Sequence, residues 1–497
     1  MQKITLSEIR PLILVFAAFA FIALIIQSLG SLCPDVSWIN YGTAQLLSGK
    51  TLYRDIVEVN PPIIYFISMP PLFLANALGF ADSKMFFLVW IVLLCFGSTI
   101  LLWAILSPLR QTSPRENNAL LLGHMACGLI LVGESFGQRE QLVYLALMPY
   151  LGLCMMRSKG ASVHLGLKIL SGVIAGLGLA LKPHYLVLIF VVEVWMLISN
   201  WPPRINKILR VEIVFAAATA IALAAVTLVF YPQFLGDVVP MTRLAYLPYD
   251  RESVSAILRL FEIMIAGIGI AIFAEWYGGA TPHRCVLLAG ALGAALAMLL
   301  QFRGFPYHTY PCVAILALWA GQQFANSKFK APRLTAAASS LMLIGFMMIN
   351  SIFAFKPFVP GGEPDWTAAY KGQSIAIFST AIHNGFPLVL NHNLKWAFRF
   401  QSLWFMPFIS DVERNKRMGN PVTDEAINMA EKLRHQAVDD LIENQPKLIL
   451  IDEVGHALYG ARPDFLFMLS KDSRFGLFFS GYKKLWERAG FSAYEKK

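Results

Sequence analysis

Hydrophobic positions in this chain come in long unbroken runs, not in the short alternations of an ordinary globular fold. Runs of about 17–23 residues, the length at which a helix can cross a bilayer, can be placed at 11–30, 84–106, 118–133, 141–156, 167–181, 184–199, 211–231, 255–275, 284–301, 306–322 and 334–355, though several are short. They predict a polytopic, all-α membrane bundle of about eleven spans. The run 62–79 is also apolar, but Pro61, Pro62, Pro70 and Pro71 speak against a regular span. It reads as a segment lying at the membrane surface. After residue 355 the pattern changes. The stretches 374–379, 386–390 and 448–452 are short buried-strand patterns. Asp424–Asn444 has the period of an amphipathic helix, with Thr423 as N-cap candidate and acids in the first turn. Short apolar strands alternating with helices predict a small α/β domain. The expected division is a transmembrane domain, 1–355, and a soluble external domain, 356–497.

Composition sharpens that division. Of 497 residues, 57% are hydrophobic and only 14% are charged, against roughly 25% charged in soluble domains. An ordinary soluble protein, an acidic disordered chain and a small secreted scaffold are thereby excluded. The tail 356–497 holds 18 Lys+Arg and 16 Asp+Glu, which is about the soluble proportion. The first 355 residues share the remaining 23 and 15. The net charge of +10 therefore lies mostly in the membrane part, which suits basic loops on the cytoplasmic side and does not suggest nucleic-acid binding. With the N-terminus inside, the inside loops carry 14 Lys and Arg against 8 outside, the direction that the positive-inside rule requires. Lys3 and Arg10 precede the first run, no small-residue cleavage site follows it, and it reads as an uncleaved first helix. An odd span count then puts the tail outside the cytoplasm, and the location expected is a cell inner membrane with a periplasmic C-terminus. Five of the six cysteines lie in or beside apolar runs, and no zinc spacing or disulfide framework is present.

The first outside loop, 33–62, gathers chemistry. Asp35, Asp55 and Glu58 fall close together at the exit of the first helix, with Trp38, Asn40, Tyr41 and Gln45 between them. Residues 36–48 can form a short helix along the surface with Asp35 at its N-cap, where the helix dipole favours a carboxylate. A fixed carboxylate near the water–lipid boundary can take a proton from an alcohol. The alternative is that Asp35 only caps and Asp55 only turns the chain. The second outside loop holds Glu134, Arg139 and Glu140. Charges at such a depth are expensive, and Arg139 suits a phosphate; a tie between helix ends is the alternative. Lys182 and His184 join two spans, where the lysine either faces an external cavity or snorkels. The stretch 301–311 carries Arg303, Tyr307, His308 and Tyr310, and Arg243 and Arg251 flank Tyr246 and Tyr249. An aromatic belt at the interface is the alternative for the latter group.

The loop resembles a known family. Asp35, Gly49, Leu52-Tyr53-Arg54-Asp55 and Asn60-Pro61-Pro62-Ile63-Ile64-Tyr65 look like the first external loop of polytopic GT-C glycosyltransferases, the lipid-linked-sugar enzymes that include protein O-mannosyltransferases and bacterial aminoarabinose transferases. The resemblance implies a GT-C-like bundle with an external α/β domain. It also implies an inverting transfer from a polyprenyl-phosphate-linked sugar to a glycan, lipid or protein acceptor of the cell envelope. Asp35 would be the general base. Many members carry Asp-Glu here, whereas this chain has Asp35-Val36. A second acid would come from Asp55, Glu58, Glu134 or Glu140. Arg139, Lys182, Arg303 and His308 would hold the donor phosphate. Glu58, Asn60, Tyr65, Glu140, His184, Arg243 and Tyr307 would line the substrate site. No cofactor motif is present, and a divalent metal stays open. Partners would be the donor, the acceptor and membrane lipid. The rival reading is a transporter or flippase of lipid-linked saccharides, whose ionisable residues would sit at span centres. A non-catalytic envelope assembly partner is a third. No serine-hydrolase, zinc-peptidase or ATPase pattern appears.

Overall fold

The computed structural model describes residues 6–80, 82–109, 114–199, 210–278, 281–326, 354–362, 366–455 and 463–497. The expected span 334–355 falls almost entirely outside them. The chain forms two compact units: Met1–Gly30, Leu74–Ala225 and Glu252–Phe355 make the first, and Ser31–Phe73, Val226–Arg251 and Lys356–Lys497 the second.

The first unit is helical. Among the described residues five helices are long and apolar enough to cross a membrane: Ile9–Ser28, Lys84–Ile105, Val211–Phe230, Val254–Tyr277 and Pro282–Gln301. Leu165–Leu181 and Pro183–Ile198 are shorter apolar helices. The helix Arg139–Ser158 is buried at every position from Glu140 to Met156, the mark of a helix surrounded by others. Its neighbours approach closely where side chains are small. Gly172 and Gly176, one turn apart on Leu165–Leu181, face Val211–Phe230. A Cβ at these positions would lie 2.5 Å from the Glu212 carbonyl and 2.6 Å from the Ala216 carbonyl. This small-xxx-small contact is how apolar helices gain packing without a hydrophobic driving force between them.

The second unit is built on a five-stranded sheet. Its strands are β1 (Ser374–Phe378), β2 (Lys395–Trp396), β3 (Leu448–Asp452), β4 (Tyr482–Arg488) and β5 (Phe491–Lys496), in the order β2-β1-β3-β5-β4. β2, β1 and β3 are parallel, and β5 and β4 close the sheet as an antiparallel hairpin. The hairpin turns on Ala489 and Gly490, both at positive φ, as a two-residue turn between twisted strands requires. The helix Asp424–Asn444 starts at Thr423, whose side chain accepts from the Ala426 N–H, and buries Leu433, Ala437, Val438 and Leu441.

One expectation is corrected here. The run 386–390 is not a strand. Pro387 lies in it and has no N–H to give a ladder. The segment instead forms a tight turn with a cis Phe386–Pro387 bond and the short helix Leu388–Asn391. The apolar run after Pro62 is a regular helix, Ile63–Ala77, that continues through Pro70 and Pro71. At 1.5 Å per residue its fifteen residues span only about 22 Å, less than a bilayer core of about 30 Å. The hairpin β4–β5 escapes a hydrophobic reading, because β4 is Tyr-Lys-Lys-Leu-Trp-Glu-Arg and mostly exposed.

The first loop is part of the second unit's core. The Val57 N–H donates to the Arg399 carbonyl (2.7 Å), and the Trp396 N–H donates to the Tyr41 hydroxyl (3.1 Å). Trp38 packs edge-on against Phe386 at 5.4 Å. A loop of such length has backbone groups that must be paired wherever it leaves water; Val57 is paired by the sheet domain, and Tyr53 and Asp55 within the loop itself.

Candidate functional site

In the second unit the loop is organised around Glu58. This carboxylate is buried. One oxygen accepts from the Trp38 indole N–H at 2.9 Å and the Tyr65 hydroxyl at 3.4 Å; the other accepts from the backbone and side-chain N–H groups of Asn60 at 3.1 and 2.5 Å. Four donors on one carboxylate make a fully satisfied buried acid. Tyr53 is held at φ +67° with its ring buried, and its hydroxyl donates to the Asn60 carbonyl at 2.8 Å. A bulky residue in the left-handed region is a strained one, kept there only by its surroundings. The Asn-Pro-Pro-Ile-Ile-Tyr segment thus folds onto Glu58. Gly42 makes room for Tyr65, since a Cβ there would lie 2.8 Å from the ring.

Asp35 lies in the first turn of the helix Pro34–Leu47, half-exposed. It is not the N-cap: Cys33 holds that position and Pro34 follows it. Proline suits the first helical position because its missing N–H has no partner to lose there, and this shifts the cap one step ahead of the acid. The carboxylate remains within the first turn, where the helix dipole favours it. Asp55 accepts from the Thr51 N–H at 2.8 Å and pairs with Arg54 at 3.2 Å. Burial opposes its charge, but the hydrogen bonds from Arg54 and Thr51 outweigh burial and hold the carboxyl below its ordinary value. Arg243 lies on the surface, paired with Glu425. Tyr246 packs on Trp404 at 4.9 Å, and the Tyr249 hydroxyl donates to Asp411 at 3.0 Å.

In the first unit a second cluster forms. Glu140 opens the helix Arg139–Ser158 after Gly133 and Gly137, both at positive φ, have turned the chain. It is fully buried and forms an ion pair with Lys182, itself 3% exposed. The lysine is therefore not snorkelling. It sits where Pro183 ends the helix Leu165–Leu181. His308, in the short turn Pro306–Thr309, places Nε2 3.5 Å from the Glu140 carboxylate. The Lys182 ammonium lies 5.9 Å from the Tyr307 ring centre. The charges of Lys182, Arg303, His184 and Arg139 all act on His308. Lys182 and His308, far apart in the sequence, thus meet on one carboxylate. Glu134, in the turn before Arg139, is half-buried, and burial raises its carboxyl above the ordinary value.

The candidates divide by unit. Asp35, Asp55, Glu58, Asn60, Tyr65 and Arg243 belong to the second; Glu134, Arg139, Glu140, Lys182, His184, Arg303, Tyr307 and His308 belong to the first. Among the described residues no three His, Cys, Asp or Glu side chains come together as a set of metal ligands.

Further polar side chains pair within the first unit, without a motif in the sequence to mark them. Glu275 accepts from Arg284 at 2.7 Å and from the Trp319 indole at 3.0 Å, and Glu116 binds Lys159 at 3.1 Å and Arg284 at 3.4 Å. Glu193 pairs with Arg210 at 2.9 Å and with the Tyr150 hydroxyl. The charges were visible in the sequence, but the pairing joins residues from 9 to 168 positions apart, which spacing alone does not predict. Glu262 is exposed.

No protein-family model matches the chain, and no curated protein does. Among solved structures, it is similar to the oligosaccharyltransferase of Archaeoglobus fulgidus, crystallised with zinc and sulfate. The similarity covers 97% of this chain and 73% of that one, at 12% identity and a TM-score of 0.44. A score at that level establishes neither a common fold nor a common activity.

Proposed function

We propose that this chain is an integral membrane glycosyltransferase that moves a sugar from a polyprenyl-phosphate donor to a cell-envelope acceptor on the external face. The observation that carries the reading is the first unit's cluster, in which Lys182 and His308 meet the buried carboxylate of Glu140 and the charges of Arg139, His184 and Arg303 act on His308. A group of cations held within an apolar bundle is costly and suits a reaction whose leaving group is an anion. Arg139 and Arg303 would hold the departing lipid phosphate through their planar forks, and Lys182, aligned by Glu140, would add a third positive charge.

Asp35 would act as the base. Its carboxylate takes the proton of the acceptor hydroxyl while that oxygen attacks the anomeric carbon. The bond from that carbon to the phosphate oxygen breaks, its electron pair leaves on the phosphate, and the configuration inverts. Glu58 is a positioning residue in this scheme: its hydrogen bonds to Trp38, Asn60 and Tyr65 fix the loop that carries Asp35. Asp55 would fix the turn or serve as the second acid.

Lipid analysis of a strain lacking the gene tests this. A polyprenyl-phosphate sugar should accumulate on the external leaflet and disappear when the intact gene, but not its Asp35→Asn form, is restored. Accumulation on the cytoplasmic leaflet points to a flippase, and unchanged lipids sink the transferase reading.

A further inference from the structure

The second unit contains a cleft of about 360 Å³ that none of the candidate site residues accounts for. Four separate stretches build it, one of them supplying Arg399 alone. The helix Asp424–Asn444 contributes Met429, Lys432, Leu433 and Gln436, which share one helical face. Facing it are Gln233, Asp237 and Met241, again one to two turns apart. The turn holding the strained Tyr53 contributes to the wall. The volume lies at the low end of small-molecule sites, roughly 300–1,000 Å³.

The charges of this cleft decide what it fits. Arg54 is paired with Asp55 at 3.2 Å, Lys432 with Asp237, and Arg399 with Asp440, which it grips through Nε and Nη2 at 2.9 and 2.7 Å. Every cation of the lining has an acidic partner. The cleft is therefore charge-balanced yet crowded with fixed donors and acceptors, with the Gln233 and Gln436 amides and two methionines beside them. A phosphate or carboxylate would meet a carboxylate already beside each cation, and that repulsion offsets the attraction. A neutral pyranose meets no such repulsion: its hydroxyls both donate and accept, and its C–H faces match the methionines.

We infer that this cleft is a binding subsite for a neutral saccharide, the acceptor glycan or the sugar-bearing part of a glycolipid acceptor. Its role as an acceptor subsite rests on the transferase reading; its capacity to bind a neutral glycan does not.

The full chain in detergent is tested on one array of neutral, uronic-acid-bearing and phosphorylated oligosaccharides. Wild type should retain neutral members in preference to the anionic ones. Gln233→Trp and Gln436→Trp, which fill the cleft from opposite walls, should each weaken that binding at least about tenfold with unchanged melting temperature. Asp35→Asn should bind like wild type. No retention of neutral glycans, a preference for anionic ones, or tryptophan variants that bind normally would each overturn the inference. If Asp35→Asn transfers sugar normally, the catalytic scheme fails while the binding result stands on its own.

Discussion

Asp35 and Asp55 lie in the same loop, yet their surroundings give them different work. Asp55 is occupied by the Thr51 N–H and Arg54, whereas Asp35 sits in a helical first turn already started by Cys33 and Pro34. Because Asp35 is not the cap, Asp35→Asn should leave expression and melting unchanged. As the base it should lose on the order of 10²–10⁴-fold in sugar transfer. Asp55→Asn should instead loosen the turn with a smaller loss of turnover; an active Asp35 variant beside a dead Asp55 variant would reassign the base. Replacing Arg139 or Arg303 with Gln should weaken donor binding in the intact protein. Lys should rescue only in part, since it lacks the fork, and unchanged donor affinity in both Gln variants would reduce them to structural ties. The loop acids were legible as a group in the sequence. Their separation into Glu58 the anchor, Asp55 the turn and Asp35 in the first turn of a helix was not, because it depends on which donors the fold brings to each.

Among the elements, those whose signals are local were read well. The helix Asp424–Asn444 begins and ends as its cap and period predict, since capping needs only a few neighbouring residues. Thr423→Ala should cost about 1 kcal/mol of the second unit's stability, measured by denaturant unfolding of the whole chain in detergent. β1 and β3 were also legible, as apolar runs of strand length. The run 386–390 was misread because one proline outweighs its apolar neighbours, and the hairpin β4–β5 was missed because it is an amphipathic edge with charged positions. The Gly172–Gly176 pair shows a different limit. Its spacing is printed in the sequence, but its meaning depends on the helix Val211–Phe230 lying against it. Gly172→Leu or Gly176→Leu should separate those helices and lower the yield of inserted, folded protein, whereas Gly269→Leu, with nothing within 4 Å of its Cβ position, should not.

At the scale of the whole chain, pH and topology supply the tests. Asp472 is held well below the ordinary carboxylate range, chiefly by its hydrogen bonds with Arg474, with His435 adding to them at 2.6 Å. A carboxyl with a lowered folded-state value contributes stability that is full above its unfolded value of about 3.9 and is lost as pH falls through the lower, folded one. The melting temperature should therefore fall as the pH drops below about 4, and Asp472→Asn should flatten that acid limb while lowering the plateau at neutral pH. Reporters test the proposed orientation: one fused after Lys497 should be external and one near Arg157 cytoplasmic, and a cytoplasmic C-terminus would overturn the layout.

By itself the sequence determined that the chain is rich in long apolar helices, that it changes character after residue 355, and that ionisable and aromatic residues gather in the loops at 33–62, 133–141 and 301–311. Hydropathy, charge density and capping are local properties, summed over neighbours in the chain. Only the tertiary structure decided that 31–73 and 226–251 fold with the tail as one unit, that Glu140 receives Lys182 and His308, and that Glu58 is enclosed by the residues around it. Burial and partnership are properties of packing. A buried carboxylate must find its donors wherever the fold brings them, and in this chain they arrive from as near as two residues away and as far as 168.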